Sequence, residues 1–309
     1  VTKIVVFFGG RITRHLVLIR KAAKKLGVEL DLVSYNRVSF DTESREVRLN
    51  TKNLNEYDVL FFRTTGKHRE SVDLILDAVS ERIKTGRVVV VDPILVDGRT
   101  SATLKARQML VLSRAGIEVP KTVYGSLFYL RDTVKENFNG FPLIIKGSAG
   151  NRGERVYKVD DEGQLETMVM NLRTSEVSEG KRYLMQEYVK NDGDFRVLVL
   201  GEEVLGAMKR SSTREDEFKN NYSTGGKVEI AQIPENIKKL AVRAASMCGI
   251  WVAGVDVMLR DGDWNKPVIL EVNKGPQFSG FMRATGIDVP QRIVKFLMNL
   301  TDSEILNSK

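Results

Sequence analysis

The chain has one cysteine, Cys248, and therefore no internal disulfide framework, a usage that fits a reducing, cytoplasmic compartment. It has two histidines, His15 and His68, which excludes a histidine-rich zinc site. Neither stands near a Gly-x-Ser-x-Gly elbow, so a Ser-His-Asp triad is not expected. No stretch approaches the roughly 20 apolar residues that cross a bilayer, and no membrane partner is expected. Val1–Gly10 is a strand-like run ending in glycines, without the basic start and small-residue cleavage pattern of a signal peptide. The turn Gly9-Gly10-Arg11 is not Gly-x-Gly-x-x-Gly, so the dinucleotide fingerprint is missing, and no Gly-Lys-Ser/Thr loop of the Walker type occurs. Catalysis is thereby left to lysine, arginine, carboxylates and a hard metal ion.

What is present is an ordinary globular composition, 42% apolar and 28% charged, over 309 residues. At roughly 100–200 residues per domain this length suggests two or three units. The net charge of +8 is spread along the chain and not gathered in basic blocks interleaved with aromatics. It suits a small polyanion or an acidic substrate; nucleic acid is not an expected partner.

The first hundred residues alternate strand and helix. Ile4–Phe8, Leu30–Tyr35, Tyr57–Phe62 and Val88–Val91 read as strands, with helices over Thr13–Leu26 and Val72–Thr85. Short strand–helix alternation implies a parallel sheet covered on both faces. A helix through Lys105–Ala115, capped by Thr100 or Ser101 and closed by Gly116, follows. Beyond it, apolar strands joined by tight turns such as Leu200-Gly201-Glu202 and Asp261-Gly262-Asp263 imply antiparallel sheets.

Four segments carry chemistry. In FPLIIKGSAGNRGERV a buried strand delivers Lys146 into a loop with Gly147, Gly150 and Gly153, a pattern that brings a point charge and backbone N–H groups close to phosphate. A flexible hairpin with a surface lysine is the plainer reading of that segment alone. Glu271 and Asn273, inside VILEVN, fall on one strand face by period-two geometry, and a hairpin register can set Asp256, inside AGVDVML, beside them. Two carboxylates and an amide make a hard oxygen site for magnesium or manganese. Salt bridging to lysine or arginine is the alternative. MQEYV, Met185–Val189, ends a strand in a loop that can offer backbone groups to an adenine, and Asp194 follows as a carboxylate for a ribose. Lys209, Arg210, Arg214, Lys219, Asn220 and Asn221 place basic and amide groups before Gly225-Gly226 and suit phosphate or carboxylate oxygens.

Taken in order, LKARQMLVLSRAGIEVPKT, FPLIIKGSAGNRGERV, MQEYVKNDGDFRVLVLG, FKNNYSTGG, AGVDVML, VILEVN and ATGID resemble the ATP-grasp superfamily, most closely its RimK-like ligases, from about Thr100 to Phe296. The resemblance implies a pre-ATP-grasp Rossmann-like α/β domain over residues 1–97. An α+β ATP-grasp fold with antiparallel sheets follows, with one subdomain at 98–182 carrying the glycine-rich flap and the second at 183–309 carrying the metal site. It implies that Lys105 and Lys146 are the nucleotide lysines, that Gly150 and Gly153 belong to the flap, and that Glu187, Tyr188 and Val189 form the adenine hinge. Asp194 takes the ribose position. Lys219 and Asn220 match part of a nucleotide-binding segment, usually Arg-Ser-Asn, which Asn221 completes. Arg196, Arg210 and Asn221 stand where the family stabilises phosphate and acyl intermediate, and Asp256, Glu271 and Asn273 where it holds metal, normally two magnesium ions.

The implied cofactors are ATP and magnesium, with manganese as a substitute. The implied partners are an amino acid or other carboxylate and an amine acceptor. The implied reaction is amide formation through an acyl-phosphate, with glutamate addition to a peptide or protein foremost. A small-molecule ligase and a non-catalytic ATP-binding module are the alternatives, and self-association is left open. Two departures fall on the substrate side: Lys274-Gly275-Pro276-Gln277 stands where the family usually has Ser-Ser-Pro-Gly, and Lys219 replaces an arginine.

Overall fold

The computed structural model describes residues 2–66, 68–96, 104–148, 155–180, 182–211 and 227–301. Its first layer is a parallel sheet. The runs Ile4–Phe8 and Val59–Phe62 are apolar throughout because both faces of their strands are covered. In chain order come β1 (Lys3–Phe8), α1 (Arg14–Lys25), β2 (Glu29–Ser34), a small antiparallel sheet of β3 (Val38–Asp41), β4 (Glu46–Leu49) and β5 (Lys52–Asn53), then β6 (Val59–Phe62), α2 (Arg69–Ala78), α3 (Ser80–Lys84) and β7 (Val89–Val91). The sheet order is β2-β1-β6-β7, all parallel. The single helix expected over Val72–Thr85 is two, interrupted at Val79, whose side chain is fully buried.

A second sheet, antiparallel, follows α4 (Lys105–Arg114). It contains β8 (Thr122–Gly125), β9 (Leu143–Gly147), β10 (Val156–Val159) and β11 (Tyr183–Glu187) in the order β10-β9-β11-β8. The helices α5 (Leu127–Asp132), α6 (Val134–Asn137) and α7 (Glu162–Ser178) belong to the same unit. Its apolar cluster, with Leu130, Phe138, Ile145, Leu165, Val169 and Met185, is separate from the other two clusters. Helix α4 starts at Lys105 with Leu104 at its N-cap, which corrects the expected cap at Thr100 or Ser101. Because Tyr183–Glu187 pairs with β8 and β9, the second sheet runs to 187, five residues past the expected subdomain boundary at 182/183.

The third sheet has the order β14-β13-β12-β15-β16, all antiparallel, from β12 (Asp194–Leu200), β13 (Glu203–Ser211), β14 (Lys227–Ala231), β15 (Val252–Leu259) and β16 (Pro267–Lys274). One face, with Phe195, Val197, Val199, Val255 and Val257, joins a core with α8 (Glu235–Met247), which contributes Ile237, Ala241, Ala244 and Ala245. That core continues into the first sheet through Val5, Phe7 and Phe62. A second core joins α1 to α10 (Val289–Asn299) and to Leu198, Met208 and Phe281 of the third sheet and α9 (Ser279–Thr285). Each fully buried Leu, Ile, Val or Phe contributes about 1.5–3 kcal/mol, so the shared cores tie the first and third sheets together strongly. The architecture is α/β followed by α+β.

Candidate active site

Strand pairing gathers the charged residues into one row. Across β13, β12, β15 and β16 the register sets Arg210 opposite Asp194, Arg196 opposite Asp256, and Asp256 opposite Glu271; Asn273 lies opposite Gly254. Directly paired residues, and residues two apart on a strand, share a face. Their apolar neighbours turn to the core, so a polar line crosses the sheet on the other side. Arg196 makes a two-pronged contact with Asp256, Nε to Oδ1 and Nη2 to Oδ2, both 2.7 Å. Arg210 donates Nε to Asp194 Oδ1 at 2.6 Å and reaches Asp256 Oδ2 at 3.0 Å. Burial would raise the Asp256 carboxyl, but the two guanidiniums outweigh it and hold Asp256 ionised, well below the usual carboxylate range. Asp194 is shifted the other way: burial pushes it up, with Arg210 only partly offsetting this. Its carboxylate is 5% exposed and turned to Arg210. The ribose position expected for it therefore coincides with a group already engaged as the arginine's counter-ion.

The second sheet and α4 bring lysines to the same row. Lys105 Nζ lies 2.8 Å from Glu271 Oε1. Lys146, near the end of β9, is pushed down to about 8, chiefly by burial and further by Lys105, while Glu271, Asp256 and Asp194 act against the shift. One turn beyond Lys105, Gln108 is 1% exposed. Its Nε2 donates to Val272 O at 2.8 Å and its Oε1 accepts from Val272 N at 3.0 Å. β16 is an edge strand, and this amide supplies the neighbour its backbone lacks, between Glu271 and Asn273. A glutamine in an amphipathic helix gives no sequence signal of such a role.

At the hinge, the Glu187 carboxylate accepts from Lys121 N at 2.8 Å and from Arg260 Nη2 at 2.5 Å and Nη1 at 3.2 Å. Burial opposes ionisation there, but Arg260 and the Lys121 N–H prevail and lower its pKa. The Glu187 N–H donates to Lys121 O. Lys158 Nζ sits over the Tyr188 ring, 5.2 Å from its centre. Asn191 donates to Val189 O and accepts from Gly193 N, folding the connection back toward β12. Gly193, at φ 137°, passes so close to the Arg210 carbonyl that a Cβ would collide with it.

Gly150, Gly153, Lys219, Asn220 and Asn221 lie outside the described residues. Lys105, Lys146, Arg196, Arg210, Asp194, Asp256, Glu271 and Asn273 converge; Glu187, Tyr188 and Val189 stand apart from the row, where the second sheet passes into the third. His15 and His68 lie at the first sheet: His15 Nε2 accepts from Ser279 N, and His68 stacks on Tyr35. Among the described residues no cluster of three His, Cys, Asp or Glu side chains occurs. The donor set is two carboxylates and one amide. In this structure the salt-bridged alternative is what the carboxylates show, Asp256 with Arg196 and Arg210 and Glu271 with Lys105; Asn273 donates Nδ2 to Asp256 Oδ2 at 3.1 Å, which leaves its amide oxygen as an acceptor end, and these hard oxygens fit a divalent cation that takes over from those partners. Ser148, which sequence reading passed over, has a buried Oγ with no hydrogen-bond partner among the described residues, and its carbonyl accepts from Lys105 N. An orphaned hydroxyl beside two lysines fits a phosphate.

A family description of the RimK-like ATP-grasp domain matches residues 102–297. A probable alpha-L-glutamate ligase 2 of Pseudoalteromonas atlantica is 30% identical over 287 residues, covering 91% of this chain and 90% of that protein. Among solved structures, the ATP-grasp ligase PsnB complexed with minimal precursor superposes with a TM-score of 0.72 at 20% identity, covering 97% of this chain and 99% of its own. The D-cycloserine synthetase DcsG superposes with a TM-score of 0.69 at 14% identity, covering 97% and 99%. At these identities the structural likenesses bear on the fold alone.

Proposed function

The chain belongs to the RimK-like ATP-grasp family and is a ligase that forms carbon–nitrogen bonds; from that premise we propose that it adds an amino acid, glutamate foremost, to a peptide or protein acceptor at the expense of ATP. The observation that carries the reading is the single polar row in which two lysines, two arginines, three paired carboxylates and Asn273 meet. Glutamate is favoured by the name its relative carries and by the chain's positive charge. We read residues 1–97 as the pre-ATP-grasp domain and the remainder as the two ATP-grasp subdomains, in a cytoplasmic protein. No helix among the described residues is long and apolar enough to cross a membrane.

In this reading Lys105, Lys146 and Ser148 receive the nucleotide phosphates, and the backbone of Glu187–Val189 receives the base, since the Glu187 side chain is held by Arg260. Asp256, Glu271 and Asn273 would hold magnesium, which would supply neutralising charge to the phosphates. A substrate carboxylate oxygen bonds to the γ-phosphorus as the bond to the bridging oxygen of ADP breaks, giving an acyl-phosphate and ADP. Arg196 and Arg210, fixed through Asp256 and Asp194, present guanidinium N–H groups where charge develops on the transferring group. The amine nitrogen then bonds to the acyl carbon, phosphate leaves, and the ammonium proton is lost to solvent or phosphate. Positioning and fixed charge supply most of the acceleration, with little general-base work.

The test is incubation with ATP, Mg2+ and amino acids, singly and with an acidic peptide, following phosphate release and product mass. Glutamate-dependent turnover with products heavier by one or more glutamyl residues is expected, and Glu271→Ala should lose metal-dependent turnover. Unchanged turnover in Glu271→Ala would remove the metal assignment. The second reading is a small-molecule ligase, left open by the departure at Lys274-Gly275-Pro276-Gln277 on the substrate side. It predicts a low-molecular-weight product with no need of the peptide.

A further inference from the structure

The two strands that bear the candidate metal ligands are gripped at one end by residues of the first sheet. Asp92 follows β7 and is fully buried. Its Oδ1 accepts from Trp251 N at 2.8 Å and Val252 N at 3.2 Å, where β15 begins. Lys274 closes β16; its Nζ donates to the carbonyl of Phe62, the last residue of β6, and stands 3.6 Å from Asp92 Oδ2. Arg63, next in the chain and 7% exposed, donates Nη2 to Pro276 O at 2.6 Å. Gly275, at φ 58°, is pressed against Arg63 so closely that a Cβ would run into both its guanidinium and its carbonyl. Pro276 in turn covers Gly254: a Cβ there would lie 2.9 Å from Pro276 Cβ and 3.5 Å from Arg196 Cδ. Gly254 is the register partner of Asn273 and stands two residues before Asp256.

We propose that Arg63, Asp92 and Lys274 are positioning residues that fix the Asp256–Glu271–Asn273 hairpin, and the stem of Arg196 above it, in the geometry that binds metal. The inference rests on the metal-site reading given above. Three buried charges are a poor device for stability alone, since apolar packing of equal volume does as well or better; their recognised use is to select one register. Here they hold the beginning of β15, the end of β16 and the turn beyond it, leaving neither strand free to slide against the other. Lys274 and Gly275 also acquire a reason: Lys274 reaches back into the first sheet, and Gly275 admits Arg63. Arg63 and Asp92 both lie outside the residues matched by the ATP-grasp family description, so this part of the site is built by the preceding domain.

The experiment measures Mn2+ binding by electron paramagnetic resonance in the presence of the β,γ-imido analogue of ATP, together with metal-free binding of that analogue and thermal stability. Arg63→Lys keeps a cation near Asp92 but loses the fork that reaches Pro276. Mn2+ affinity should fall about tenfold, the usual lower bound for removing support behind a metal ligand, while metal-free nucleotide affinity stays within about twofold. Lys52→Met, which breaks the Lys52–Asp31 pair elsewhere in the same domain, is the control and should leave Mn2+ affinity unchanged. If Arg63→Lys does not fold, Asp92→Asn takes its place, keeping an acceptor for Trp251 and Val252 and removing the charge facing Lys274. Unchanged Mn2+ affinity in the variant, or an equal loss in the control, overturns the proposal. Wild-type protein that binds no Mn2+ even with nucleotide overturns the metal reading beneath it.

Discussion

Lys146 is desolvated by the sheet that delivers it, and its pKa of about 8 makes it a group of the site that changes charge just above physiological pH. Below that value it is protonated and attracts phosphate; above it the attraction is lost. The folded-state pKa is depressed from the unfolded 10.5, so burying the charged lysine costs stability below pH 8, and that cost is relieved as pH rises toward 10.5. Metal-free nucleotide affinity should therefore weaken by up to about tenfold per pH unit above 8, and Lys146→Arg, whose guanidinium does not titrate there, should flatten the dependence. Calorimetric titration from pH 7 to 9.5 checks this; a wild-type affinity that stays level across that range would remove Lys146 from the phosphate site. The sequence made Asp256 and Glu271 visible because a carboxylate inside an apolar strand is costly unless it is paired or metal-bound, Asn273 because it shares a strand face with Glu271, and Lys146 because its strand ends in a glycine-rich loop. It did not make Gln108, Ser148 or Asn191 visible, because an amide or hydroxyl in a helix or loop is unremarkable until the fold sets it beside an unpaired backbone group or a lysine. Asp194 shows the limit from the other side: its place in the chain was legible, and its engagement by Arg210 was not.

Among the elements, β16 depends on contacts from outside its sheet. As an edge strand it would leave Val272 with a buried, unpaired N–H and C=O, and α4 covers both with one glutamine. Gln108→Leu should cost about 2–6 kcal/mol, since two buried backbone groups lose their partners at about 1–3 kcal/mol each. Urea unfolding gives the stability, and a loss below about 1 kcal/mol would mean that water or a shifted α4 replaces the amide. Long apolar strands such as β1, β12 and β15 were readable from their runs of Val, Ile and Phe. The short strands β3–β5 were not, because their exposed faces break the apolar pattern. Helix α10 carried a signal that reading along the chain did not take up: Asp288, whose side chain accepts from Gln291 N, precedes Pro290 in the first turn and an apolar spacing through Leu297.

For the whole molecule, the division of cores sets what moves as a unit. The first and third sheets share two apolar clusters, whereas the second sheet has its own. The lysines come from α4 and the second sheet, and the carboxylates and arginines from the third. Closing a nucleotide between them would bring opposite charges together and exclude water from an acyl-phosphate that water would otherwise hydrolyse. The parallel-then-antiparallel order was legible from loop lengths and turn residues. The way the first sheet reaches beneath the hairpin was not, because contacts such as Arg63 to Pro276 join residues 213 positions apart. The central claim is that this site activates a carboxylate by phosphorylating it, and the direct measurement is oxygen transfer. Glutamate and the acidic peptide are incubated together with ATP, Mg2+ and enzyme, the carboxylates of one and then of the other labelled with 18O, and the released phosphate is analysed by mass spectrometry. One 18O per phosphate from one of the two labelled partners, in step with amide formation and absent in Glu271→Ala, is the predicted result; amide formation with the label in AMP, or with unlabelled phosphate in both labellings, would contradict it.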